Sequence, residues 1–183
     1  VQIQEGQIGT RKVLIPVSAG QIPDTTRDIL KLVVISRYTP RLFSTGLVQG
    51  LGLKRGAIAS SVSHDSHNVI AAGTHDTDII AAIRTVVQHK GAMVICDGDR
   101  QACLPLPVGG LMSDLSYEEV KEDLDELHRI AADCESIRDP FMYLSFLALS
   151  VIPDIRVTTR GVFDVDAFAY VPLFSGEGPE FSE

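Results

Sequence analysis

Ala57-Ile58-Ala59-Ser60-Ser61-Val62, Val69-Ile70-Ala71-Ala72-Gly73 and Ala92-Met93-Val94-Ile95-Cys96 are three short runs of small and β-branched residues without a charge among them. Strands covered on both faces read this way, as near-continuous apolar runs rather than alternating ones. Between the second and third runs, Ile79, Ile80, Ile83, Val86 and Val87 follow the 3.6-residue period of an amphipathic helix. That helix is expected over about Thr77 to Lys90 and stops at Gly91. Strand, helix and strand over this length make a βαβ unit, with Val69 to Gly73 and Ala92 to Cys96 parallel and joined by a right-handed crossover.

Working upstream, Val13 to Val17 and Ile29 to Ile35 read as strands separated by the turn-rich stretch Ser18 to Thr26. Gly46, Gly50, Gly52 and Gly56 then mark a connector in which the backbone bends or approaches another element closely. Lys54 and Arg55 lack the Gly-Lys-Ser/Thr order of a phosphate loop. Downstream, Asp97-Gly98-Asp99 signals a hairpin that returns through Arg100 to Leu104, before a loop with Pro105, Pro107, Gly109 and Gly110. Ser116 and Glu119 form a capping box for a helix to Glu135, with Val120, Leu124, Leu127, Ala131 and Cys134 as its buried stripe. Asp139 as cap and Pro140 in the first turn open a third helix that runs to Leu149. Thr159-Arg160-Gly161 turns into a last strand, Val162 to Leu173. The fold class is α/β: a mixed sheet with a βαβ unit and about three main helices, one domain over 1–174, and a polar tail, 175–183, expected to be disordered.

A chain of 183 residues with 45% hydrophobic and 22% charged residues suits one soluble domain with a sizeable core. Its formal charge of −8 disfavours nucleic-acid and anionic membrane partners, whose phosphates would be repelled. Without a Trp, and with seven Phe and four Tyr, it offers no stacking platform for bases. Cys96, Cys103 and Cys134 are an odd number at wide spacing, which fits buried thiols in a reducing compartment. No apolar run has membrane-spanning length and no leader opens the chain, so a soluble cytoplasmic protein is expected. The first residue is Val1, and an upstream segment is expected to precede it.

Chemistry concentrates in one place. The hexad Ser63-His64-Asp65-Ser66-His67-Asn68 is the polar break between two apolar strands. His64, Asp65 and His67 are the candidate catalytic residues, each able to serve in proton transfer, because a neighbouring carboxylate can set the tautomer of a His. Ser63, Ser66 and Asn68 are the candidate substrate-binding residues, offering both donors and acceptors. A second reading is a plain turn in which Asp65 and Ser66 bond their own backbone and the histidines cap strand ends. No metal is assigned to this chain, since a closed zinc site wants about four ligands and two histidines fall short. The zinc-dependent nucleobase deaminases are no template, for no two cysteines have their Cys-x-x-Cys spacing. Ser60, Ser61 and Ser63 lack a Gly-x-Ser-x-Gly elbow, and the carboxylates of Glu118 to Glu126 make the solvated face of a helix.

The run Gly52-Leu53-Lys54-Arg55-Gly56-Ala57-Ile58-Ala59-Ser60-Ser61-Val62 with the hexad that follows it resembles the signature segment of the C-terminal domain of adenine deaminases. The resemblance continues through Gly73-Thr74, Leu104-Pro105-Leu106-Pro107, Gly110-Leu111-Met112-Ser113, Pro140-Phe141, Leu144 to Leu149 and Val151-Ile152-Pro153. It departs at Tyr38, where that pattern has His after the Arg. It implies an amidohydrolase that converts adenine and water to hypoxanthine and ammonia, with a divalent metal, manganese or iron, held in an upstream barrel domain. It further implies that this chain packs on that barrel, binds a small-molecule purine with it, assembles as a homo-oligomer, and brings the hexad near the active site. A structural or oligomerisation domain without a catalytic role is the competing reading.

Overall fold

The computed structural model describes residues 1–17, 20–39 and 41–175. The charge-free runs are strands: β5 (Ala57–Ser60), β6 (Val69–Gly73) and β7 (Ala92–Asp97), with α1 (Asp76–Gln88) between the last two. They belong to an eight-stranded sheet together with β1 (Gln2–Ile3), β2 (Thr10–Arg11), β3 (Ile29–Ile35), β4 (Phe43–Gln49) and β8 (Arg100–Pro105), in the order β2-β1-β4-β3-β6-β5-β7-β8. The sheet is mixed: β1 lies parallel to β4, and the other neighbours are antiparallel.

Both faces of this sheet are covered over β5, β6 and Ala92 to Cys96 of β7, which is why those runs carry no charge. On one side Ala57, Ala59, Val69, Ala71, Ala92, Val94 and Cys96 pack against Ile79, Ala82 and Val86 of α1. The alternate residues Leu32, Val34, Ile58, Ile70, Ala72 and Ile95 face the opposite way. There they meet α2 (Tyr117–Asp133), α3 (Pro140–Phe146) and a three-stranded sheet of β9 (Ile155–Thr158), β10 (Gly161–Asp164) and β11 (Ala169–Val171), through Leu127, Ile130, Leu144, Val157 and Val162. The period of two along each strand thus feeds two separate apolar layers.

Several expectations are met. The three helices fall where the periodicity puts them, Ser116 and Glu119 form the reciprocal capping box, and Asp97 pairs with Arg100 across a turn in which Gly98 has φ +61. Others are corrected. β6 and β7 do run parallel, as each is antiparallel to β5, but β5 sits between them, so the crossover through α1 spans one strand. In α1, Ile80 and Val87 are exposed, since Ile79, Ala82, Thr85 and Val86 make the side that meets the sheet. Asp139 precedes α3 in the left-handed conformation and its side chain caps nothing, leaving Pro140 as the start signal.

Val13 to Val17 is not a strand. It carries Pro16, which cannot donate to a ladder, while β1 and β2 occupy that edge of the sheet. The segment through Gly46 is a full strand, β4, because its glycine admits the small sheet: a Cβ there would stand 2.5 Å from Val157 Cγ2. The expected last strand is instead the hairpin β10–β11, broken where Asp164 Oδ1 accepts the Ala167 amide at 3.0 Å. Most of the expected polar tail, 176–183, lies outside the described residues.

Candidate functional site

The hexad closes the hairpin between β5 and β6, whose pairing ends at Ser60 and Ile70. Its backbone is held from three sides. The His67 amide donates to Ser63 O at 2.7 Å, tightening the loop, and the His64 amide donates to Ser145 O of α3 at 3.0 Å. From the end of β3, Arg37 donates to His67 O at 3.2 Å through Nη1 and, by its own amide, to Asn68 Oδ1 at 3.4 Å. The His64 ring lies on Phe146, with centroids 4.5 Å apart and planes 27° from parallel.

The side chains are treated differently from the backbone. Asp65 and Ser66 are exposed, and His64, His67 and Asn68 are half-buried. Among the described residues, no hydrogen bond joins His64, Asp65 and His67 to one another, and none returns from Asp65 or Ser66 to the loop backbone. The structure therefore gathers the six residues in one turn but builds no His–Asp relay within it. Ser63 Oγ is fully buried and has no hydrogen-bond partner. A buried hydroxyl left unpaired costs about 1–3 kcal/mol, so this is the loop's one unsatisfied interior group.

Phe146, Ser145 and Arg37 are contributors that the sequence pattern alone does not single out. They reach the loop through strand pairing and helix packing, and the sole local hint is that Arg37 follows an apolar strand by two residues. Beside them runs the loop Val108 to Met112, closed by a bridge between its ends. Its Gly109 carbonyl accepts Arg37 Nη2 at 2.9 Å, and its Gly110 carbonyl accepts Ser61 Oγ at 2.6 Å.

A metal does not fit here. Among the described residues, no three His, Cys, Asp or Glu side chains come together as a ligand set. Burial pushes the thiols of Cys96, Cys103 and Cys134 up to about 11, so all three stay protonated and none is a ready ligand or nucleophile. Of the remaining histidines, His75 and His89 end α1, and His128 lies 3.9 Å from Asp139 on α2's polar side. At the opposite end of the strands, a groove of about 830 Å³ is lined by Leu14, Val17, Leu47, Val171, Leu173 and Phe174. None of the hexad reaches it.

A family model described as the adenine deaminase C-terminal domain matches residues 7–169, which takes in β2 to β10, all three helices and the hexad. The chain belongs to the adenine deaminase C-terminal domain family. An adenine deaminase of Methanoculleus marisnigri is 53% identical over 174 residues, which are 95% of this chain and 34% of that protein. Another from Methanoregula boonei is 47% identical over 169 residues, 92% of this chain and 30% of that protein. Adenine deaminase 2 of Carboxydothermus hydrogenoformans is 46% identical over 175 residues, 91% of this chain and 30% of that protein. The chain thus spans about a third of the length of these relatives. No helix among the described residues is long and apolar enough to cross a membrane.

Proposed function

We propose that this chain is the C-terminal part of an enzyme that hydrolyses adenine to hypoxanthine and ammonia, and that Ser63 to Asn68 completes the site where the purine binds. The divalent metal, manganese or iron, belongs in this reading to an upstream barrel of the same polypeptide, as these residues offer no ligand set for it. One observation carries the role of the loop: its backbone is anchored on three sides while the side chains of Asp65 and Ser66 and the buried Ser63 hydroxyl make no hydrogen bond within the fold. A turn kept only for its shape spends such groups on its own backbone.

Each residue has a task that matches its chemistry. Adenine presents ring nitrogens that accept and an exocyclic amine that donates. His64 and His67 supply donors for the ring nitrogens, Asp65 and Asn68 Oδ1 supply acceptors for the amine, and the fully buried Ser63 hydroxyl lies beneath them rather than against the purine. The departing amino group must gain a proton to leave as ammonia, which His64 or His67 delivers. Ser66 is exposed at the tip, where its hydroxyl meets the substrate's outer edge. We extend the reading to a cytoplasmic homo-oligomer; three free thiols support a reducing compartment, and native mass measurement checks the assembly.

A structural role for the loop is the second reading, favoured by the stacking of His64 on Phe146. Replacing His64, Asp65 and His67 by Ala, one at a time, in the intact enzyme separates the two. A positioned proton-transfer group contributes about 10²–10⁴-fold to rate, so kcat/KM should fall on that order with folding and metal content near normal. Wild-type kinetics in all three variants would reduce the loop to a turn.

A further inference from the structure

We propose that Arg37 is the positioning residue of this site, a clamp that holds the hexad and the Val108 to Met112 loop as one unit; the catalytic significance of the clamp rests on the function proposed above. Ile35 of β3 pairs with Val69 of β6, so the residues just beyond β3 come out beside the end of the hexad. The Arg37 guanidinium bridges two loops there, with Nη1 on His67 O at 3.2 Å and Nη2 on Gly109 O at 2.9 Å. Among the described residues it forms no ion pair within 4.0 Å, so its directional bonds go to these two carbonyls. A planar fork can serve two acceptors at once in fixed relation, whereas a lysine ammonium at the end of a flexible stem fixes neither.

The surroundings are built to this contact. Gly110 has φ +75, and a Cβ on it would lie 2.5 to 2.7 Å from the guanidinium, so only glycine leaves the fork its place. The next carbonyl, that of Gly110, is taken by Ser61 Oγ, which itself accepts the Ala92 amide at 3.0 Å. Successive carbonyls of one loop are therefore fixed by two residues from different parts of the sheet. His67 is a non-glycine at φ +49, a conformation that persists only where neighbours hold it, and Arg37 holds its carbonyl. The clamp consequently fixes the polar edge of the site, His67 and Asn68, against an apolar strip that exposes Val108 and Met112. A flat heteroaromatic base needs that pair of surfaces, hydrogen bonds at its edge and apolar contact on its face.

Hydrogen exchange of the protein carrying Arg37→Lys or Arg37→Ala tests the clamp directly. Peptides across 61–70 and 106–113 should lose protection together, equally in both variants, while peptides from α2 and β3 keep theirs. Loosening of only one loop, of neither, or of the whole sheet would overturn it. In the intact enzyme, Arg37→Lys should lower kcat/KM by about 10²-fold, the scale of a small misplacement of reacting groups. The same change should cost little further in a His67→Ala background, since the two act as a unit. Multiplicative losses in the double variant would refute the positioning role. If the His64, Asp65 and His67 variants are all kinetically silent while exchange still couples the two loops, the clamp stands and the catalytic reading of the loop falls. If His67→Ala impairs turnover while exchange shows no coupling, the reverse holds.

Discussion

Gly91 lies under the candidate site, and giving it a single methyl group should damage the whole domain. Its φ is +142, a region that residues with a Cβ rarely occupy. A Cβ there would stand 2.3 Å from Gly110 Cα, 2.8 Å from Leu106 O and 3.0 Å from Ser61 Oγ. Ordinary contact begins at 3.4 Å, so the Gly110 backbone must retreat by the difference, 3.4 − 2.3 = 1.1 Å. Two of the three obstructing atoms are main chain and cannot rotate away. Retreat also strains Leu106 N to Gly91 O at 2.8 Å and Ser61 Oγ to Gly110 O at 2.6 Å. Backbone strain of about 1–3 kcal/mol adds to about 1–3 kcal/mol for overpacking, so Gly91→Ala should cost roughly 2–6 kcal/mol. Against a total stability of about 5–15 kcal/mol, and at about 2–4 °C per kcal/mol for a domain of this size, Tm should fall on the order of 10 °C. Gly98→Ala is the control, for Gly98 has φ +61 but nothing within 4 Å of its would-be Cβ, leaving strain alone. Urea unfolding followed by circular dichroism, with thermal melts alongside, gives both differences. If Gly91→Ala lies within about 0.5 kcal/mol of wild type, or is no worse than Gly98→Ala, the packing argument beneath the site is refuted.

Ser116→Ala removes the acceptor of the Glu119 amide in the capping box of α2 and should cost about 1 kcal/mol, with Ser116→Asp close to wild type; equal unfolding midpoints for all three would exclude the cap as a determinant. Lys12 lies 2.7 Å from Asp164 and is the leading cause that holds this carboxyl below its usual range, ahead of the Ala167 amide. A carboxyl with a lowered folded pKa contributes stability above its unfolded pKa of about 3.9 and loses it as pH falls through the folded value. Lys12→Met should therefore move the acid-unfolding midpoint to higher pH, and an unchanged or lower midpoint would remove the pair from the account.

How far the sequence leads is clearest at β5 to β7. That these strands are buried on both faces is legible, because two covered faces exclude charge from every position of a strand. Their order is not. Charge-free strands are the habit of parallel sheets, and the connection of β5 to β6 has no Asn-Gly or Asp-Gly pair to announce a hairpin, so the sequence suggests adjacency through α1 where the structure inserts β5. The hairpin turn and the candidate site are the same residues. A tight two-residue turn would have declared the topology and left no room for six polar side chains. The hexad itself is legible for a local reason, as the only polar interruption of an apolar stretch. Arg37 is not, since its meeting with His67, 30 residues further along the chain, depends on β3 pairing with β6. Val108 and Met112 are further removed still, joined to the hexad through Arg37 and through Ser61. The candidate chemical groups stand out by contrast with their neighbours in sequence, whereas the groups proposed to aim them are brought there by strand order. Substitutions guided by sequence alone would reach the first set and pass over the second, and for that reason the Arg37 and Gly91 variants probe the three-dimensional reading more sharply than the histidines do.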